Sequence, residues 1–153
     1  MPTQQEIVNY IKDHPVAVLG TTGKSSRPFG AAIYIYAKSI DQLYFITKTE
    51  TQKFKNIQEN PMVSVTIVDS SDNSSLQLSG DVSVVNDVRI IDQVMREMSK
   101  IYANSADWLP PLAKIRAGSY QVISIKLLTA RLAHYKGHNA GDKNIFKDLK
   151  NEN

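Results

Sequence analysis

Between Val16 and Val85 short runs of β-branched and aromatic residues follow one another across tight turns, with little room for helical crossovers. Strands that succeed each other so closely pair antiparallel, because a parallel neighbour needs a crossover of about a dozen residues or more. The runs are Val16–Thr22, Phe29–Tyr36, Leu43–Thr47, Met62–Val68 and Leu76–Val85. Within them Val63, Val65 and Ile67 alternate with polar residues, the period of a half-buried strand. Gly23 to Pro28, Ser39 to Gln42 and the polar cluster Asp69 to Ser75 supply the turns. Gly80, inside a strand, marks a bulge or a close backbone approach. A further run, Ser119 to Tyr135, adds one or two strands. The pattern predicts a mainly β fold, an antiparallel barrel with a few covering helices.

The helices announce themselves by their caps. Thr3-Gln4-Gln5-Glu6 is a capping box ahead of Ile7, Val8 and Ile11, and His14-Pro15 ends that element. Thr49, with Gln52 three residues later, predicts a second helix running to Glu59, stopped by Asn60-Pro61. From Asp87, the residues Ile90, Ile91, Val94, Met95, Met98, Ile101 and Tyr102 lie at helical spacing. Residues 103–118 read as irregular and hold the single tryptophan, Trp108. Residues 1–135 thus read as one domain. Residues 136–153 read as a polar tail with a weak amphipathic piece around Ile145, Phe146 and Leu149.

Several chemistries fall away. There is no cysteine, so disulfides, thiolate catalysis and cysteine-bound metals are out. The net charge of +3 is spread among acids rather than gathered on one face, so no nucleic-acid partner is expected. The N-terminus lacks a basic start and an apolar core, and no apolar run approaches a bilayer span; a cytoplasmic protein away from membranes is the expectation. Val16 to Ser25 imitates a phosphate loop, but the motif's first glycine is replaced by Val18 and a strand follows instead of a helix. Asp69-Ser70-Ser71-Asp72-Asn73 begins like a calcium loop but lacks its glycine, and Gly80 stands where the bidentate glutamate belongs. His134 and His138, four apart, have no third ligand in sight, so no metal is expected. No nucleophile elbow is present, and catalytic side chains are not identified.

One stretch carries more. After Leu43–Thr47 the chain passes into a helix through Lys48, Thr51, Gln52 and Lys53. Hydroxyls and ammonium groups therefore gather where a helix exposes unpaired amides and the positive end of its dipole. On chemistry alone this fits a phosphate seat and an ordinary capped junction with surface lysines equally well.

The same stretch resembles the pyridoxamine 5′-phosphate oxidase-like family of FMN-binding split β-barrels. The matching residues are Phe45-x-Thr47, then Thr51-Gln52-Lys53, Asn56-Ile57 and Asn60-Pro61-Met62-Val63-Ser64. The order of elements is similar over roughly residues 5 to 135. The resemblance implies an FMN cofactor, with Thr47, Lys48, Thr51, Gln52 and Lys53 around its phosphate and ribityl chain. It implies that Ala31, Ala32, Ile33 and Ile46 face the isoalloxazine edge. Ser75 or Gln77 would reach the flavin from the strand after the hairpin, and Trp108 would cover the ring. Many relatives place an arginine in the second strand; here Gly30-Ala31-Ala32 stands there, leaving Arg27 as the nearby substitute. The vitamin B6 oxidase's C-terminal Trp-x-x-x-Arg-Leu-x-Pro is matched only by Arg131-Leu132, so its substrate is not implied.

What the resemblance implies is a flavin-dependent oxidoreductase acting on an unidentified small molecule. A non-catalytic flavin-binding or sensing protein is the alternative, and so is a haem-binding relative using His134 or His138. It also implies a homodimer with the flavin at the subunit interface. The run Ile33, Tyr34, Ile35, Tyr36 is apolar on both sides, so one side lines the barrel and a partner copy is expected to cover the other.

Overall fold

A computed structural model describes residues 2–104, 119–139 and 141–149. Helix α1 (Gln4–Asp13) begins with the expected box: the Glu6 amide donates to the Thr3 hydroxyl, and the Thr3 amide donates to the Glu6 carboxylate. Strand β1 (Val16–Thr22) and strand β2 (Pro28–Tyr34) form the first hairpin. The single strand expected over Phe29–Tyr36 is broken at Ile35, whose amide turns away to donate to the Pro15 carbonyl at 2.8 Å. Strand β3 (Tyr36–Ser39) then starts anew and pairs with β4 (Gln42–Lys48).

The break has a physical reason. The hydrogen-bonded order is β2-β1-β5-β6-β7-β4-β3, where β5 is Met62–Asp69, β6 is Ser74–Val84 and β7 is Tyr120–His134. Strands β2 and β3 are thus consecutive in the chain yet lie at the two ends of the sheet. The sheet must curl until its ends meet, which makes an antiparallel half-barrel, as the close succession of strands without helical crossovers predicted. The inward series Leu19, Val65, Leu76, Phe45, Ile123 and Ile125 fills it, each 1% exposed or less.

Among the described residues three helices cover this sheet. α1 buries Ile7, Val8 and Ile11 in the core. It is also fastened to the β5–β6 hairpin, where the Tyr10 hydroxyl lies 2.9 Å from Ser74 Oγ and His14 Nε2 lies 2.9 Å from Asp69 Oδ2. α2 (Gln52–Glu59) lies against β1 and β4, and α3 (Val88–Ala103) packs by Val94 and Met98. In the run Ile33 to Tyr36, apolar on both sides, Tyr34 is covered within the chain: Tyr102 of α3 meets it edge-on at 4.8 Å, and Ile33, Tyr34 and Ile35 are all buried.

The tail adds an element that its polarity hides. β8 (Phe146–Asp148) pairs antiparallel with the end of β7, on the edge that β4 leaves free beyond Ile125. At the other side of β7, Gly80 is both the bulge and the close approach that the sequence suggests. The register steps from Ser79↔Thr129 to Gly80↔Leu127, leaving Leu128 as the extra residue. A Cβ at Gly80 would stand 2.7 Å from the Lys126 carbonyl oxygen, so only glycine lets β7 come this near.

Candidate functional site

The β4–α2 junction is built from one end of the barrel. Leu43, Phe45 and Thr47 share the inward side of β4, and Thr47 carries that row to the rim, 1% exposed. The cap of α2 is Thr51, not Thr49 as expected: the Phe54 amide donates to Thr51 Oγ1 at 3.3 Å. Thr51 Oγ1 in turn donates to the Lys48 carbonyl at 2.8 Å and lies 3.1 Å from Thr47 Oγ1. Thr51 wins because its hydroxyl can join the strand end to the helix start, whereas Thr49 Oγ1 turns to Glu50. Below the cap, Gln52 donates its amide to Asn56, and Asn56 donates to the buried Thr21 hydroxyl at 3.0 Å. The helix is thereby pinned to β1. Gly23 completes the lock, since a Cβ there would meet Glu59 and Asn56 oxygens at 2.6 and 2.9 Å.

The cations at this corner divide into two kinds. Lys48 is buried and engaged, its ammonium 3.8 Å from Glu50 and 5.3 Å from the centre of the Tyr120 ring. Lys53 is different. It is half-buried, and desolvation holds its pKa below the usual lysine value. No ion pair joins it to a carboxylate among the described residues. The first turn of α2 holds no acid, whereas α1 has Glu6 there. An ammonium at the positive end of a helix dipole, partly out of water, leaves unmet demand for an anion.

The other expected residues fall in three places. Arg27 is exposed in the β1–β2 turn, which is tied to the far end of α2 by the Lys24 amide donating to Glu59. Thr51 and Glu59 are about 12 Å apart along the helix axis at 1.5 Å per residue. Ala31, Ala32 and Ile33 lie on β2, with Ile46 on the nearby β4; Ile33 and Ile46 are buried, Ala31 half-buried and Ala32 exposed. Ser75 and Gln77 stand on β6 at the opposite end of β7: Thr47 pairs with Gln121, and Gln77 with Arg131. Ten residues of strand separate those partners, about 33 Å of contour. Ser75 Oγ is buried with no hydrogen-bond partner, while Gln77 is exposed. Trp108 lies outside the described residues.

Gln77 borders a feature the sequence reading missed. An open hollow of about 490 Å³ lies on the outer face between β6, β7 and β8, lined among others by Ser79, Leu128, Thr129, Arg131 and Asp148. The one signal for it is Leu127-Leu128, adjacent apolar residues that break the alternation of β7 and mark its bulge. His134 and His138 face single carboxylates, Asp72 at 3.8 Å and Asp142 at 2.6 Å. Among the described residues no group of three metal-binding side chains forms, and no helix is long and apolar enough to cross a membrane.

Comparisons with known proteins agree with this architecture. The family model for pyridoxamine 5′-phosphate oxidase matches residues 3–134. No curated protein sequence matches the chain. Among solved structures, it is similar to a protein of Clostridium acetobutylicum related to general stress protein 26, of the pyridoxine phosphate oxidase family. The TM-score is 0.65 at 15% identity, covering 96% of this chain and 93% of that one. A pyridoxamine 5′-phosphate oxidase-related, FMN-binding protein of Nostoc punctiforme gives a TM-score of 0.63 at 14% identity, covering 97% and 96%. A haem-binding protein of Mycobacterium smegmatis gives 0.71 at 13% identity, covering 98% of this chain and 59% of that one.

Proposed function

Because the chain belongs to the pyridoxamine 5′-phosphate oxidase family, we propose that it binds FMN at the head of α2 and serves a redox reaction on a small molecule. The observation that carries this reading is Lys53, a half-buried ammonium at a helix N-terminus without an acid in its first turn. A phosphate dianion supplies what that corner lacks, and a charge-assisted contact there is worth about 1.5–3 kcal/mol. Thr51 and Gln52 flank it. Thr47 acts through Thr51, since its own hydroxyl is buried against that residue. The backbone of Ala31 to Ile33 and Ile46 would line the ring.

FMN, when bound, supplies hydride and electron transfer; the protein's part is to hold and orient it and to shield it from water. Gln77 and Ser75 cannot easily join this seat within one chain, because about 33 Å of strand contour lies between the two ends of β7. In a two-fold dimer a second copy brings them over. The outer face of β1 and β5 offers the surface for it: Val16, Val18, Met62 and Val68 are 42%, 52%, 46% and 67% exposed around the small Gly20, Gly30 and Ser64. A homodimer with the flavin at its interface is therefore part of the proposal.

The absorption spectrum of the purified protein, with mass analysis of the released cofactor, tests the reading. Flavin bands and the mass of FMN are expected. A Soret band instead would favour haem, as in the Mycobacterium smegmatis neighbour. Bleaching of the flavin by NADH or NADPH is expected of an oxidoreductase; a flavin that stays oxidised would mark a passive binder.

A further inference from the structure

We propose that the hollow between β6, β7 and β8 is a binding site for a small organic carboxylate, which Arg131 takes up in place of Asp148. The volume, about 490 Å³, lies within the range of about 300–1,000 Å³ usual for small-molecule sites. Its lining is mixed in the manner such sites need: the Ser79 and Thr129 hydroxyls, 2.6 Å apart, and apolar surface from Leu128 and Leu149. Leu128 is there because of the bulge. As the extra residue opposite Ser79 and Gly80 it is turned out of the regular alternation, and Gly80 makes that bulge possible by admitting Lys126 so near. Bulges beside functional sites re-aim side chains in this way.

The charged wall is Arg131. Its Nε and Nη2 donate to the two oxygens of Asp148 at 2.6 and 3.1 Å, the parallel fork by which arginine grips a carboxylate. The Phe146 ring, 5.6 Å from the guanidinium carbon, holds the fork from another side. Asp148 itself is 63% exposed, so its carboxylate can swing into water while β8 keeps its pairing to β7. An exposed pair of this kind is screened by water and contributes little, and an incoming carboxylate that also covers Leu128 and Leu149 outweighs it. The fork is thus preset for a carboxylate, with Asp148 as its resident counter-ion. All these residues belong to one chain, so the site stands whether or not the flavin reading does.

Titration calorimetry of the full chain without added FMN, using benzoate as the probe, tests this. Saturable binding is expected in the parent. Asp148→Ala should tighten it by up to about fivefold, the factor released when an exposed competing pair is removed. Arg131→Gln should weaken it at least tenfold, and Arg131→Lys, a point charge without the fork, should also weaken it. Equal affinity in Asp148→Ala and Arg131→Gln overturns the proposal, as does a lack of saturable binding in Asp148→Ala. Inorganic phosphate is the second arm. If it binds through Arg131 and benzoate does not, the carboxylate assignment is wrong.

Discussion

The hydroxyl oxygens of Thr47 and Thr51 lie 3.1 Å apart, and that contact joins the last inward position of a barrel strand to the cap of the helix that follows. The cap thereby fixes where α2 starts, and with it the place of Lys53. Thr51→Ala removes the acceptor of the Phe54 amide and the donor to Lys48, and should cost about 0.5–2 kcal/mol in urea unfolding. Thr51→Ser keeps both bonds and should lose far less. Equal losses would show that the methyl group matters rather than the cap.

Lys53→Ala should separate binding from folding. The side chain has no carboxylate partner among the described residues, so the unfolding midpoint should hardly move. FMN affinity, measured by flavin fluorescence, should fall about tenfold or more. A variant that binds FMN as tightly as the parent would move the phosphate seat elsewhere.

Assembly and cofactor should be linked if Gln77 and Ser75 reach the flavin from a second copy. FMN then stabilises the dimer by mass action, and dilution releases the flavin. Sedimentation at low micromolar concentration, with and without FMN, reads both. A monomer that keeps its flavin fully bound would defeat the shared site.

Gly80→Ala places a methyl 2.7 Å from both the Lys126 carbonyl oxygen and Ile125 Cγ2. The first of these is backbone and cannot step aside. A loss of about 1–3 kcal/mol in thermal or urea unfolding is expected, the usual cost of overpacking. An unchanged midpoint would mean that β7 relaxes without strain.

Asp69 gives a pH dependence of known sign. The Ser71 hydroxyl, then the Ser71 amide, His14 and the Asp72 amide hold its carboxyl below the usual carboxylate range. A depressed folded pKa stabilises the native state above the unfolded value of about 3.9, and this is lost as pH falls through the folded pKa. The parent should therefore be more stable than Asp69→Asn at neutral pH, and the two should converge in acid. Urea midpoints of both proteins from pH 7 down to about pH 3 provide the check; parallel curves would contradict it.

Much of this was open to the sequence because it is local. Apolar runs between turns pointed to β1 and β4, period-two alternation to β5, the Thr3 and Glu6 pair to the start of α1, and Asn60-Pro61 to the end of α2. Gly80 announced a close approach, and Thr51-Gln52-Lys53 a donor-rich corner. Side-chain alternation and capping depend on neighbours within a few residues, so they survive in the linear text.

What only the tertiary structure decided is non-local. The break at Ile35 cannot be read from a run of good strand formers; it follows from a sheet whose two ends must meet there. The burial of Thr47 and Lys48, the cover that Tyr102 gives Tyr34, and the tie of Asp148 to Arg131 across 17 residues all depend on that closure. A polar tail shows no strand period in three residues, and β8 exists because β4 leaves the edge of β7 unpaired. Pairing between distant segments is set by which backbone groups remain unsatisfied once the barrel has curled. No single stretch of sequence contains that information.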